Sequence, residues 1–332
     1  MDLSLFFAGT GGSVPSPRRG LPAILVRRGG ERLLFDCGEG TQRQLMRSVG
    51  LADLDCIFIT HFHADHWLGL PGMLKSFALR ERELPLSVYG PRGLRKLMDD
   101  TYFVYGRLPY QLNVFEMDPD QAVPFDGYEV AAVAVSHRGA GAYGYVLVED
   151  SRPGHLDPEL AQRLGVTPGP DFGRLTRGET IAGVAPEQVM GPMREGRKVV
   201  ISGDTSPCEV LAMAAHEADV LVHEATFAEE EVERARQTGH STARQAAGLA
   251  RDAKARMLAL THISTRYPGG DLREEARSIF PATEAPRDFD TIDVPFPEKG
   301  PAQLIRWSDR RAREQATGDP AGDPSAETVV VH

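Results

Sequence analysis

With 332 residues, 41% of them hydrophobic and 25% charged, the chain is long enough to bury a large core and has an ordinary globular composition. A formal net charge of −10 argues against a protein that coats nucleic acid through a general cationic surface, although bound metal cations would reverse the potential at one local site. Three cysteines, Cys37, Cys56 and Cys208, without C-x-x-C spacing, point to free and mostly buried thiols rather than a disulfide framework or a cysteine zinc site. No run of 18 apolar residues occurs, and the opening Met1-Asp2-Leu3-Ser4 has neither the basic segment nor the apolar run of a secretion signal, so a cytoplasmic location with no membrane partner is expected.

Short apolar runs recur along the chain and end in polar residues. Residues 3–8 lead to Gly9-Thr10-Gly11-Gly12, residues 32–35 to Asp36-Cys37-Gly38-Glu39, and residues 56–60 to His61. An alternating run, 130–135, precedes His137. Later, residues 199–202 lead to Gly203-Asp204, 220–222 to His223-Glu224, and 257–261 to His262. These read as short buried strands opening into loops. Between them the pattern is helical over 40–49, 93–100, 210–217 and 242–253, the last with Ser241 as its expected N-cap. Strands that alternate with helices and carry polar residues at their carboxyl ends predict an α/β layered architecture with its chemistry on one loop edge.

Residues 151–180 break this rhythm. Pro153-Gly154, Pro158, Pro168-Gly169-Pro170 and Gly173 surround one short helical piece, 158–164, which predicts an inserted arm or lid within a catalytic unit spanning 1–307. The segment 308–332, rich in charge, Gly, Pro, Ala and Thr, is expected to be disordered.

The strongest chemical signal is His61-Phe62-His63-Ala64-Asp65-His66. Three imidazoles and a carboxylate crowded onto one strand-to-helix loop need a bound cation. Nitrogen mixed with carboxylate oxygen suits Zn²⁺, although ligand type alone leaves Mn²⁺ and Fe²⁺ open. Further ligands must come from elsewhere, and His137, Asp204 and His262 each stand at a strand's carboxyl end. His155, His216 and His332 read as solvated.

Together with Phe35-Asp36-Cys37-Gly38-Glu39-Gly40-Thr41-Gln42, Ser202-Gly203-Asp204-Thr205, His223-Glu224-Ala225-Thr226-Phe227, Gly239-His240-Ser241-Thr242 and Leu260-Thr261-His262-Ile263-Ser264-Thr265-Arg266-Tyr267, the cluster resembles the short form of ribonuclease Z, the endonuclease that trims tRNA 3′ ends. The resemblance implies a metallo-β-lactamase fold, a four-layer αββα sandwich of two similar halves. It also implies two zinc ions per subunit, a homodimer, and a precursor-tRNA substrate, with no DNA partner. By position, His61, His63 and His137 would hold one zinc, Asp65, His66 and His262 the other, and Asp204 would bridge them. Asp65 would also orient the attacking water and take its proton. His240 stands outside the ligand set and is the candidate acid for the departing 3′ oxygen, with Glu224 orienting its imidazole. His223, adjacent to Glu224 on a strand, should point to the other face and serve structure.

The inserted segment resembles the family's protruding arm, which grips the body of tRNA from the partner subunit, with Pro168-Gly169-Pro170 at its tip and Arg174 and Arg177 among its cations. Pro15-Ser16-Pro17-Arg18-Arg19-Gly20 stands where that family commonly carries a Pro-x-Lys-x-Arg-Asn loop, with Pro17 for the Lys and Gly20 for the Asn. Arg18, Arg19 and Arg266 are further candidates for RNA phosphates, Arg266 alternatively for a carboxylate, and Gly9-Thr10-Gly11-Gly12 is a weak candidate for a phosphate cradle. Two other readings remain at this point: a metallo-β-lactamase-fold hydrolase of small phosphodiesters or esters, and a noncatalytic metal-containing RNA-binding protein.

Overall fold

The structure, a computed structural model, describes residues 1–51, 53–139 and 141–317, the last five of these by backbone alone. Its strands are β1 (Leu3–Gly9), β2 (Ala23–Arg28), β3 (Glu31–Phe35), β4 (Cys56–Phe58), β5 (Leu86–Gly90), β6 (Leu112–Glu116), β7 (Ala122–Phe125), β8 (Tyr128–Ala134), β9 (Tyr143–Glu149), β10 (Lys198–Ile201), β11 (Val220–Glu224), β12 (Leu258–Thr261), β13 (Thr283–Glu284), β14 (Thr291–Asp293) and β15 (Gln303–Ile305). Eight of them form one sheet in the order β15-β14-β1-β2-β3-β4-β5-β6, and seven form a second in the order β13-β12-β11-β10-β9-β8-β7. Each sheet joins an antiparallel part to a parallel run, β3 to β6 in the first and β10 to β13 in the second.

The period of two along the strands sorts side chains into layers. In β1, Leu3, Leu5 and Phe7 face the second sheet and meet Tyr128, Val130, Tyr145, Leu147, Val220 and Val222 in the central core. Phe6 and Ala8 turn outward to the core beneath the helices Thr41–Met46, Leu70–Leu79 and Leu94–Asp100. The second sheet buries Val133, Val200, Leu221 and Leu260 beneath Glu209–Ala214, Ala243–Asp252 and Gly269–Arg277. Helix, sheet, sheet, helix is the αββα arrangement that the resemblance implies. Among the described residues no helix is long and apolar enough to cross a membrane.

The parallel runs β3-β4 and β10-β11-β12 send their carboxyl ends to one edge of the sandwich. There Tyr145 donates its hydroxyl to the Ile59 carbonyl at 2.7 Å, and the Tyr143 N–H bonds the Thr60 carbonyl at 2.9 Å, so the two sheets are tied where the functional loops emerge. At the opposite edge a different tie exists. Arg197, 1% exposed, grips Glu149 with two nitrogens at 2.7 Å each and donates to the carbonyls of Val294 and Met1 at 2.8 and 3.0 Å. Arg28 completes that carboxylate's shell at 2.8 Å.

Three local expectations are corrected. The helix over Ala243–Asp252 is capped by Thr242, whose hydroxyl accepts the Gln245 N–H while Gln245 Oε1 accepts the Thr242 N–H, and Ser241 instead donates its hydroxyl to the Thr205 carbonyl at 2.7 Å. The insertion runs from the end of β9 to the start of β10, residues 150–197, and holds three helices, Pro158–Arg163, Pro170–Thr176 and Pro186–Val189, where one was expected. It is more ordered than its Pro and Gly content suggests because Ala161, Val166, Leu175, Ile181, Val184 and Val189 give it a core of its own. Finally, Trp307–Thr317 is helical where disorder was expected, anchored by the Trp307 N–H on Asp290 at 2.9 Å, while 318–332 lie outside the described residues. All three cysteines are free; Cys37 and Cys56 are buried and Cys208 is half-buried.

Candidate metal centre

The strand β4 delivers Thr60 and His61 to the functional edge, and the chain then turns through Phe62 and His63 into the short helix Ala64–Trp67. Trp67 Nε1 donates to the Phe62 carbonyl at 3.0 Å, fixing this turn and with it the direction of His63, Asp65 and His66. His137 follows β8, Asp204 follows β10, and His262 follows β12 with a left-handed backbone, φ 54°. His262 is held in that strained conformation from the amino-terminal loop: a Cβ on Gly12 would lie 2.4 Å from the imidazole, so no larger residue fits beneath the ring. Gly11, Gly12 and Ser13 commit their N–H groups to the Gly20 carbonyl, the Ile263 carbonyl and Asp65 Oδ2, the last at 2.7 Å, and Thr10 commits its own to Asp288. This loop therefore shapes the site and has no N–H groups left for the phosphate cradle considered above.

Seven side chains from these segments converge. His61 Nε2 and His137 Nε2 stand 3.0 and 3.1 Å from His63 Nδ1, close to the edge of about 3.3 Å that three nitrogens on one tetrahedral zinc would have. On the other side, His262 Nε2 lies 3.2 Å and His66 Nε2 3.6 Å from Asp65 Oδ2. Between the groups, Asp204 Oδ2 is 3.3 Å from His66 and His262, 3.8 Å from His61 and 3.9 Å from His137. Three groups with the spacing to hold an ion result among the described residues: His61, His63, His137 and Asp204 on one side, Asp65, His66 and His262 on the other, and Asp204, His240 and His262 overlapping both.

The outer hydrogen bonds determine which nitrogen of each ring faces inward. His66 Nδ1–H donates to Asp36 Oδ2 at 2.7 Å, His61 Nδ1–H to Thr60 Oγ1 at 3.0 Å, His137 Nδ1–H to the Gly239 carbonyl at 2.7 Å, and His262 Nδ1–H to Thr226 Oγ1 at 2.8 Å. With an ion bound, each of these rings would turn the lone pair of its Nε2 toward it. Asp36, reached by left-handed backbone at φ 58°, also accepts the Thr60 N–H and hydroxyl. Sequence reading noticed Asp36 only as part of a motif and missed this orienting role, as it missed Thr60 and Thr226.

Electrostatically the cluster is incomplete. Burial, reinforced by the neighbouring imidazoles, holds His61 well below the usual histidine range and so neutral. Burial opposes ionisation of Asp204, but His262 and His66 overcome it and keep the carboxyl far below the usual carboxylate range. Buried within this cluster, His66 Nε2 and Asp204 Oδ1 have no hydrogen-bond partner. Orphaned buried polar atoms are costly, and inward lone pairs around a buried carboxylate are the donor set that a pair of divalent ions would satisfy. These residues fit such a pair.

Beside the seven stands a different kind of pair. His240 Nδ1–H donates to Glu224 Oε1 at 2.8 Å, and the ring stacks on His262 with 5.3 Å between centroids. Glu224, fully buried, also accepts the N–H groups of Thr205 and Thr226 at 3.0 and 3.1 Å and the Thr226 hydroxyl at 2.7 Å. Burial lowers the His240 pKa, yet the charge and hydrogen bond of Glu224, aided by Asp204, raise it to about 9. His240 can thus carry a proton at neutral pH with Nε2 as the group that offers it. His223 shares the other face of β11 with Leu221, is fully buried, and donates Nδ1–H to the Glu224 carbonyl at 2.7 Å.

The expected RNA contacts divide. Arg19 is turned inward to Thr10 Oγ1 at 2.6 Å and the Pro286 carbonyl at 3.2 Å, and Arg266 pairs with Glu231 at 2.8 Å, so neither guanidinium is free. Arg18 is exposed on the rim of a groove of about 950 Å³ that runs past Ser264 and Arg287. In the arm, Pro168, Gly169 and Pro170 are exposed, and Pro170 starts its helix at the first position, where its ring is tolerated. Arg174 is held by Asp171 and Glu179 at 3.3 and 2.8 Å, and Arg177 lies 3.8 Å from Glu179.

Residues 31–156 and 166–263 match the beta-lactamase superfamily domain. The chain is 44% identical over 308 residues to a ribonuclease Z of Halorubrum lacusprofundi, covering 90% of this chain and 99% of that one. It is likewise 44% identical over 308 residues to a ribonuclease Z of Archaeoglobus fulgidus, covering 90% of this chain and all of that one. Its structure resembles human tRNase Z, short form, with a TM-score of 0.66 and 29% identity over 88% of this chain and 99% of that one.

Proposed function

The chain belongs to the ribonuclease Z family of the beta-lactamase superfamily, and from that premise we propose that it is a zinc-dependent endoribonuclease which cuts precursor tRNA at its 3′ end and leaves a 3′-hydroxyl on the tRNA. The observation that carries the reading is the convergence of His61, His63, His137, Asp65, His66, His262 and Asp204 around two unpartnered buried atoms. Two zinc ions per subunit would be held by the first three and by the next three of these, with Asp204 shared between them. When bound, such ions lower the pKa of water and neutralise charge at the phosphodiester.

The protein's own groups supply the remainder. Asp65 is pinned by the Ser13 N–H, which fixes one carboxylate oxygen and leaves the group oriented to direct the attacking water and receive its proton. His240 carries its proton on Nε2 to the departing ribose 3′ oxygen, a poor leaving group unless protonated. Glu224 anchors Nδ1 and favours the charged ring, so it acts by positioning and by charge. The protein works in the cytoplasm as a homodimer. Its arm leaves from the ends of β9 and β10 remote from the metal residues, about one strand length or 20 Å away, which suits contact with the tRNA body at the partner's site.

Incubating the zinc-loaded protein with a precursor tRNA bearing a 3′ trailer, and mapping the new end and its terminal chemistry, tests the whole reading. A single internal cut leaving a 3′-hydroxyl is expected. Binding without cleavage, or hydrolysis of bis-p-nitrophenyl phosphate alone, would overturn it.

A further inference from the structure

The arm is fastened at its stem as well as tethered by its two chain crossings. Its strands bridge at Arg152 and Arg194, each donating its N–H to the other's carbonyl at 2.7 and 2.8 Å. Both arginines then reach from the stem of the insertion to one carboxylate on the connection between two strands of the first sheet. Arg152 holds Glu298 with two nitrogens at 3.1 and 3.2 Å, and Arg194 holds the same group at 2.9 Å. Glu298 lies in the short helical turn Pro297–Lys299 between β14 and β15. Two residues earlier, at the cap of the same turn, Phe296 lies under the Arg152 guanidinium at 3.5 Å and under that of the buried Arg197 at 4.0 Å. A continuous stack therefore runs from the stem through Phe296 to Arg197 and Glu149 in the core.

Such a contact is more than surface decoration. A hinge made of two single-strand crossings would let a body with its own core swing, whereas a forked carboxylate and a cation–π stack on the opposing sheet fix its direction. We propose that Glu298, with Phe296, is a positioning clip that sets the angle of the arm and thereby the affinity for the tRNA body. The proposal rests on the reading of the arm as an RNA contact. Glu298 bonds the stem arginines and none of the metal-centre residues, so on this proposal its influence falls on binding of large substrates. Its carboxyl is held down to about 2 by the hydrogen bonds from Arg152, so the clip stays ionised under ordinary conditions.

The test compares full-length wild-type protein with Glu298→Gln and Phe296→Leu, using precursor tRNA and bis-p-nitrophenyl phosphate as substrates and hydrogen exchange at the stem amides of Arg152 and Arg194. Both variants should raise KM for precursor tRNA about fivefold to tenfold, leave kcat within about twofold, leave small-diester turnover unchanged, and speed exchange at the stem. A wild-type KM in both variants despite faster exchange overturns the clip, as does an equal loss on both substrates. A deletion of residues 157–188 separates the two layers of the argument. If it leaves KM for precursor tRNA unaltered, the RNA-contact reading fails and takes the clip with it; if it raises KM while Glu298→Gln does not, the clip alone fails.

Discussion

The two edges of the β-sandwich treat buried charge in opposite ways. At one edge Glu149 is saturated by Arg197 and Arg28, and the cations spend other donors on backbone carbonyls and on Glu31. At the other, Asp204 is surrounded by five imidazole nitrogens at 3.3 to 3.9 Å and still keeps one oxygen without a partner. Both edges bolt the same two sheets together, so architecture alone does not separate them. What separates them is completeness: a finished network holds the fold, and an unfinished one waits for a ligand.

Substitutions at the two edges should therefore break different properties. The largest effect is expected from Asp204→Ala, which should lower precursor-tRNA cleavage by about a thousandfold or more and release metal, read by single-turnover kinetics and elemental analysis. His240→Ala comes next, with cleavage down about a hundredfold at unchanged metal content; normal cleavage would remove its acid role. Asp36→Ala should weaken metal affinity about tenfold to a hundredfold by freeing the His66 ring, measured by competition with a chelator, and an unaltered affinity would reduce Asp36 to a loop residue. Glu149→Gln should leave metal affinity and cleavage per folded molecule untouched while lowering stability by about 3 kcal/mol, read by denaturant melts. Its arginine neighbours hold the Glu149 carboxyl below the ordinary range despite burial. Its contribution is therefore complete above the unfolded-state carboxylate pKa and is lost as pH falls through the lower folded value, a loss that Glu149→Gln should not display.

The same contrast explains what could be read from the sequence. The His61 to His66 cluster announces itself because four ligands sit within six residues, and no structural role calls for that density. His137, Asp204 and His262 were legible only as polar residues at strand ends, and the resemblance gathered them. Asp36 and Thr226 escaped because an orienting partner is defined by the ring it faces, and those rings lie 30 and 36 residues away in sequence. Gly12 entered only as part of a weak phosphate-cradle candidate, because a glycine-rich turn looks alike whether it admits an anion or an imidazole. In the arm, Pro and Gly suggested little order, yet six apolar residues spread from 161 to 189 close a core that local pattern does not reveal. The alternation of strands and helices, by contrast, was enough for a layered α/β architecture, and the resemblance supplied the αββα order of its layers.

The binding set begins at residue 61 and is not complete until 262, and that last residue is seated on a loop formed around residue 12. A nascent chain thus cannot bring this set together until it has been synthesised through His262 and both sheets have met. Any metal affinity of the set is therefore coupled to completion of the fold.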